Sequence, residues 1–379
     1  MRRLRINIQA IAGTKQTLVA IRIPLPNPSL QITVPLSPCS PCLRASVRDL
    51  SVPSYQNLPR PVRTIERMTR ILPCILLLIA QLSANAAEPP ITAIVFSPNG
   101  NSVLATSQLG VRVYSWPELK RGWTIKSEAA NLHCLSFSPN GKRLAIGGGH
   151  PTEEGIVQVY SWPTGKLLAT LNEHQDSVRA LAWQGDEKLL SASVDRQIKL
   201  WQLGKIKSVA TYTGHSRSVA SLCLLQRGKT LVSAGDDQSL RVWEAGSGKV
   251  VRRLIQHTRP IHDLQVRPGQ SALPMVASAA ADGTIRLWQP TIGRMVRFVR
   301  LKSPPLTIAW HKDAARIIAA CTDGKVRVVD ADEVKVTHTL PAIKGWAYAV
   351  AVHPSGKNLV VAGSGGQLKR LAIPAVASP

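Results

Sequence analysis

An all-β fold, a seven-bladed β-propeller, is predicted by three observations. A strand-turn-strand unit repeats along the chain, each unit ends on an aromatic or apolar residue at one fixed place, and a second turn signal keeps step with the first. The unit is clearest at 188–201, KLLSASVDRQIKLW, and recurs at 229–243 (KTLVSAGDDQSLRVW) and 275–288 (MVASAAADGTIRLW). Its closing residue falls at Tyr114, Tyr160, Trp201, Trp243, Trp288, Val329 and Leu371, with steps of 46, 41, 42, 45, 41 and 42 residues. A period of about 40–45 residues with several strands per unit is that of a propeller blade. Seven closing residues therefore predict seven blades.

The second turn signal follows the first strand of each unit: SPNG at 97–100 and 138–141, QGDE at 184–187, QRGK at 226–229, RPGQ at 267–270, HKDA at 311–314 and HPSG at 353–356. Pro, Gly, Asn and Asp supply the fixed or positive φ that hairpin turns require. Between the turns, alternation such as Val111 and Val113 predicts half-buried strands.

Three units carry a further pattern of polar residues. They show His174, Ser191, Asp195 and Trp201; His215, Ser233, Asp237 and Trp243; and His257, Ser278, Asp282 and Trp288. In each the Ser stands four before the Asp and the Trp six after it. Over roughly residues 91 to 373 the chain resembles the WD40-repeat family, whose motif is this His, Ser, Asp and Trp. The resemblance implies a propeller in which each set links loop, strand and turn by hydrogen bonds, and a scaffold that binds other molecules. The pattern fades elsewhere. The sixth unit keeps Asp323 but has Ala319 and Val329, the seventh has Gly365 and Leu371, and the first two have Gln108 and Glu154 at the turn. Ser, His and Asp also compose a nucleophilic triad, but recurrence at one structural position in successive blades points to structure and not catalysis.

The first 86 residues are organised differently. Residues 1–67 hold ten basic and two acidic residues, with scattered prolines and no sustained periodicity, so no domain is predicted there. Cys39 and Cys42 form one CxxC without a second pair to complete a zinc site. Residues 68–86, MTRILPCILLLIAQLSANA, show a basic start, a short apolar run and a small-residue cleavage site, the plan of a secretory signal peptide. Cleavage is expected after Ala86. Met68 is then the expected start, and 1–67 an upstream stretch read through by a misplaced start; a long targeting extension is the rival reading.

The domain at 87–379 has 293 residues, about 42 per blade, and a chain of this size buries roughly three quarters of its unfolded surface without disulfides. Cys134, Cys223 and Cys321 lie in non-adjacent blades and are expected to be small apolar residues in strands. Few residues follow Leu371, so the last blade is expected to have three strands and an open edge, to be met by a partner's strand or by a short pairing of residues 87–91. The run GGGHPTEEG at 147–155 lacks the Lys and helix of a phosphate loop and reads as a long hairpin loop.

Charge bears on partners. The full chain carries a net charge of +25, and residues 87–379 retain 36 Lys and Arg against 20 Asp and Glu. The excess favours anionic partners: an acidic protein first, an anionic polymer or envelope surface as the alternative, and not nucleic acid for an exported protein. A cation stands two before the closing residue at Arg112, Lys199, Arg241, Arg286, Arg327 and Lys369, with Gln158 the exception. Candidate binding residues lie in the loops leading into each first strand, which in the family line one end of the ring: Arg217, Arg259, Lys302, Lys344, Trp346 and Tyr348. Arg beside aromatic residues is typical of recognition hot spots. No catalytic constellation, metal site, cofactor site or transmembrane anchor is predicted. The expected function is an exported, non-enzymatic scaffold for a protein partner, periplasmic or extracellular.

Overall fold

Apolar residues alternating along short segments between Gly- and Asp-bearing turns give strands throughout, and the computed structural model describes residues 7–13, 16–23, 30–36, 88–269 and 271–375. Two units are present, one within Met1–Gln81 and one within Leu82–Pro379. In the first, where the sequence suggested no elements, β1 (Asn7–Gly13), β2 (Gln16–Ile23) and β3 (Leu30–Leu36) form an antiparallel sheet in that order. Cys39, Cys42 and the expected signal peptide lie outside the described residues.

The second unit is a ring of seven antiparallel sheets, each meandering outward from its first strand. Blade one comprises β4 (Ala93–Phe96), β5 (Ser102–Ser107), β6 (Gly110–Ser115) and β7 (Arg121–Ile125), and blade two β8 (Cys134–Phe137), β9 (Arg143–His150), β10 (Glu154–Ser161) and β11 (Leu167–His174). Blade three comprises β12 (Val178–Gln184), β13 (Lys188–Ser193), β14 (Gln197–Gln202) and β15 (Ala210–Thr213), and blade four β16 (Val219–Leu225), β17 (Thr230–Gly235), β18 (Leu240–Glu244) and β19 (Val250–Leu254). Blade five comprises β20 (Ile261–Val266), β21 (Val276–Ala280), β22 (Thr284–Gln289) and β23 (Arg294–Arg300), and blade six β24 (Pro305–Trp310), β25 (Arg316–Cys321), β26 (Lys325–Asp330) and β27 (Lys335–Pro341). Among the described residues blade seven has β28 (Ala347–Val352), β29 (Asn358–Gly363) and β30 (Leu368–Ala372), the three strands expected.

The first strands touch in sequence around the ring, and β28 meets β4 to close it. Core residues fill the spaces between blades: Trp243 packs with Leu190, Ile198 and Tyr212 of blade three, and Trp288 with Val232, Val242 and Leu254 of blade four. Trp201, Trp243 and Trp288 are among the largest fully buried side chains. Removing each from water contributes on the order of 4–6 kcal/mol before ordering entropy is counted.

The seam between blades seven and one has its own chemistry. Trp116 stacks on His353 with centroids 4.9 Å apart, Phe96 meets both rings edge-on, and His353 Nε2 lies 3.2 Å from the Gly100 carbonyl. Arg370 lies over the Trp116 ring, and the Ile91 amide donates to the Gly363 carbonyl at 3.1 Å.

One expectation is corrected. Gly147 to Gly149 belong to β9 and pair along β10, leaving a loop of only Pro151–Glu153. The glycines are needed for close packing: a Cβ on Gly147 would stand 2.7 Å from Cys134 Sγ, and one on Gly148 2.8 Å from the Asn131 carbonyl. Glu154 accordingly opens β10 and meets His150 Nδ1 at 3.2 Å. Cys134, Cys223 and Cys321 are free and buried in strands, and burial pushes their thiols up to about 12, 12 and 11. They remain protonated, poor nucleophiles.

Candidate functional site

In blades three to five each His stands ahead of its blade, His174 at the end of β11 and His215 and His257 on loops, with the Ser on the second strand, the Asp in the turn after it and the Trp on the third strand. An indole N–H can only donate, so Trp288 Nε1 donates to Ser278 Oγ at 2.8 Å. Ser278 then has its own proton for His257 Nε2, 2.7 Å away, and His257 Nδ1–H donates to Asp282 Oδ2 at 2.8 Å. The Asp282 carboxylate also accepts the Thr258 amide, tying loop to turn. The same chain runs from Trp201 through Ser191 and His174 to Asp195, and from Trp243 through Ser233 and His215 to Asp237.

Electrostatics follow from that geometry. Burial acts against the Asp282 carboxylate, but hydrogen bonds from Thr284 and His257 outweigh it and hold the group down to about 2. Asp195 and Asp237 are lowered for the same reasons, with burial opposing and the His bond prevailing. Burial pushes the His257 imidazole below its usual value, consistent with the neutral Nδ1–H tautomer the chain of donors demands. Ser191, Ser233 and Ser278 are wholly buried, so no substrate reaches their hydroxyls.

The remaining blades are fastened otherwise. In blade six Arg327 makes a forked pair to Asp323, at 3.0 and 2.6 Å, and Ser303 meets Thr322 at 2.8 Å. Blade two uses the Gln158 amide, which accepts from Tyr160 and Ser127 and donates to Glu128. Most third-strand cations are likewise tied to carboxylates: Arg241 to Asp237, Arg286 to Asp282, Arg112 to Glu88 and Lys199 to Glu173. Lys369 donates to the Pro341 carbonyl. These cations stabilise blades and do not form a free basic ring.

Because the His-bearing loops bond to the Asp-bearing turns, both lie at one face of the ring. That face also receives the candidate binding residues. Arg217 lies between β15 and β16, Arg259 between β19 and β20, Lys302 between β23 and β24, and Lys344 between β27 and β28, all exposed and, among the described residues, without an ion pair. Trp346 is 51% exposed and its ring centroid lies 5.9 Å from that of half-buried Tyr348.

The first strands of blades three to seven are bulged at this end, with register shifts that set Arg179, Ala220, His262, Leu306 and Tyr348 out of the ladder. Of these only Tyr348 was singled out from sequence. Burial, then the charge of Arg179, lowers both His133, to about 4, and His262. For Arg179 and His262 the sequence signal was present, since each stands one residue after the apolar start of a first strand. Among the described residues no cluster of His, Cys, Asp and Glu is arranged to hold a metal, and no helix is long and apolar enough to cross a membrane.

Sheet order, closure and the three buried hydrogen-bond chains define a protein of the WD40 class. Residues 165–202, 206–244 and 248–289 match the family model described as WD domain, G-beta repeat, and the chain belongs to the WD40-repeat family. It is similar to Periodic tryptophan protein 2 of Arabidopsis thaliana, 28% identical over 66% of this chain and 28% of that protein. It also resembles UBP9-binding protein bun62 of Schizosaccharomyces pombe, 28% identical over 34% of this chain and 25% of the relative. WD repeat-containing protein VIP3 of Arabidopsis thaliana is 24% identical over 46% of this chain and 60% of its own length. The matched stretches thus span from about a quarter to three fifths of these relatives. A WD40 scaffold for protein interaction is the function such repeats support.

Proposed function

We propose that this chain is an exported, non-enzymatic scaffold whose loop-bearing face holds an acidic segment of a protein partner. The observation that carries the reading is a contrast in charge. Cations on the third strands are tied within their blade or to a neighbouring segment, whereas Arg217, Arg259, Lys302 and Lys344 stand exposed and, among the described residues, without ion pairs on one face, beside Trp346. Unpaired cations steer an acidic partner, and an aromatic anchor supplies apolar contact. One relative is named for binding another protein, which accords with this role. Export rests on the signal-peptide plan of residues 68–86; a native N-terminus at Ala87 is expected by mass spectrometry, and native peptides from 1–67 would overturn it.

Affinity capture of the native protein at low and high salt, with Arg259→Glu beside it, tests the site. A defined acidic protein should survive high salt, and Arg259→Glu should weaken its capture about tenfold while leaving stability within about 0.5 kcal/mol. Unchanged capture removes Arg259 from the site. Complete loss at high salt, with binding to an anionic polymer at low salt, would put the polymer reading first.

A further inference from the structure

The six complete blades repeat one register at their outer edge. The third-strand residue just before the paired cation faces an apolar residue on the fourth strand: Val111 faces Ile125, Ile198 faces Tyr212, Leu240 faces Leu254, Ile285 faces Val299 and Val326 faces Leu340, with Val157 facing Leu171 in blade two. The next residue faces threonine in four blades: Arg112 faces Thr124, Gln158 faces Thr170, Lys199 faces Thr211 and Arg327 faces Thr339.

Blade seven has the third-strand half of this arrangement and, among the described residues, no fourth. Leu368 and Lys369 occupy the two positions on β30. The third strands of the complete blades are largely buried, whereas Lys369, Arg370 and Ala372 are exposed and Leu368 and Leu371 half-buried. The Gly363 amide donates to the Gln367 carbonyl and the Ile373 amide to the Lys357 carbonyl, so odd-numbered residues of β30 turn their backbone groups inward. By the alternation of an antiparallel ladder, the N–H and C=O groups of Leu368, Arg370 and Ala372 point to the bare edge.

In five of six blade junctions the outer apolar residue precedes by seven residues the buried apolar residue that opens or leads into the next first strand, as Tyr212 precedes Val219 and Ile125 precedes Leu132. Counting seven back from Ile91 reaches Ala84, with Ser83 before it. The chain's own in-register candidate therefore lies upstream of the expected cleavage after Ala86, and export would remove it.

We propose that in the exported protein the edge of β30 takes an antiparallel strand from a partner protein, with an apolar residue opposite Leu368 and a threonine or similar small polar residue opposite Lys369. The proposal rests on the export reading. Backbone hydrogen bonds supply affinity in such strand addition and the alternating side chains supply selectivity. Lys369 and Arg370 further favour acidic residues at the ends of the incoming strand.

The probe is the peptide Ser-Val-Ala-Thr-Tyr-Thr-Gly, the sequence of residues 208–214, which holds this register in blade three. It is added to the full chain exported by its host, whose N-terminus is first read by mass spectrometry. Saturable binding is expected, with hydrogen exchange at Leu368, Arg370 and Ala372 slowed at least about tenfold. The same peptide with proline at its Ala and Tyr positions should not bind, because it lacks the donors. If the N-terminus is Ala87 and the peptide fails to bind, or those amides are already protected, strand addition is overturned while export stands. If the N-terminus lies upstream of residue 80, export fails, and protected edge amides in that chain would show the edge filled in cis and overturn the proposal too.

Discussion

Blades five and six have the same four strands, yet they are locked by different means. In blade five one chain of hydrogen bonds joins the preceding loop, the second strand, the turn and the third strand through His257, Ser278, Asp282 and Trp288. In blade six Arg327 and Asp323 join the turn only to its own third strand, while apolar Ala319 and Val329 fill the places of Ser and Trp. The first arrangement concentrates several buried groups that need one another. The second divides the same task among weaker, independent contacts. The difference predicts that blade five is sensitive to single substitutions and blade six tolerant.

The largest effect is expected from volume. Trp288→Ala should cost about 3–5 kcal/mol and Val329→Ala about 2 kcal/mol, read from urea midpoints. Equal losses would mean that blade five gains nothing special from its indole. Next comes a single oxygen. Ser278→Ala orphans the Trp288 N–H and His257 Nε2 at once, for about 2 kcal/mol. Asp323→Asn, with its carboxylate a third exposed, should cost under about 1 kcal/mol. A reversed order would break the comparison.

The smallest expected effect is the pH response. His257 is lowered by burial, so below its ordinary value of about 6.5 the unfolded chain binds a proton that the folded chain refuses, and stability falls with pH. Asp282 adds a second loss as pH drops from about 3.9, its unfolded value, through the folded value of about 2. In blade six the Arg327 bond lowers Asp323, so only the second kind of loss arises there. His257→Gln should therefore flatten the stability profile between pH 7 and about 5. An unchanged slope in that variant would assign the response to another group.

What was readable from the chain follows from distance along it. The Ser, Asp and Trp of each set fall within one hairpin, where strand geometry fixes their spacing, so an eleven-residue pattern sufficed. The seven closing residues and the short last blade were legible for the same reason. The seam was not: Trp116 and His353 belong to opposite ends of the propeller, and nothing local marks them as neighbours. Nor was the tie of Arg241 and Arg286 to turn carboxylates, which leaves the free charge on the loops. Arg179 and His262 escaped notice because a bulge re-aims a side chain without altering the apolar alternation around it. The glycines of β9 looked like a loop because the neighbours that require them, Cys134 and the Asn131 carbonyl, lie on another segment.

The bond between His353 and Gly100 spans 253 residues, and this has a consequence for the order of events during folding. Six junctions join consecutive blades and can form as the chain emerges, each closing a short loop. The seventh closes the whole circle, at an entropic cost on the order of 5 kcal/mol for a free chain of that length. Prior assembly of the intervening blades pre-arranges the two ends and reduces that cost. The seam therefore fastens last, and a nascent chain stalled before β28 lacks the partner surface for Phe96 and Trp116, leaving two large aromatic rings available to chaperones or to aggregation.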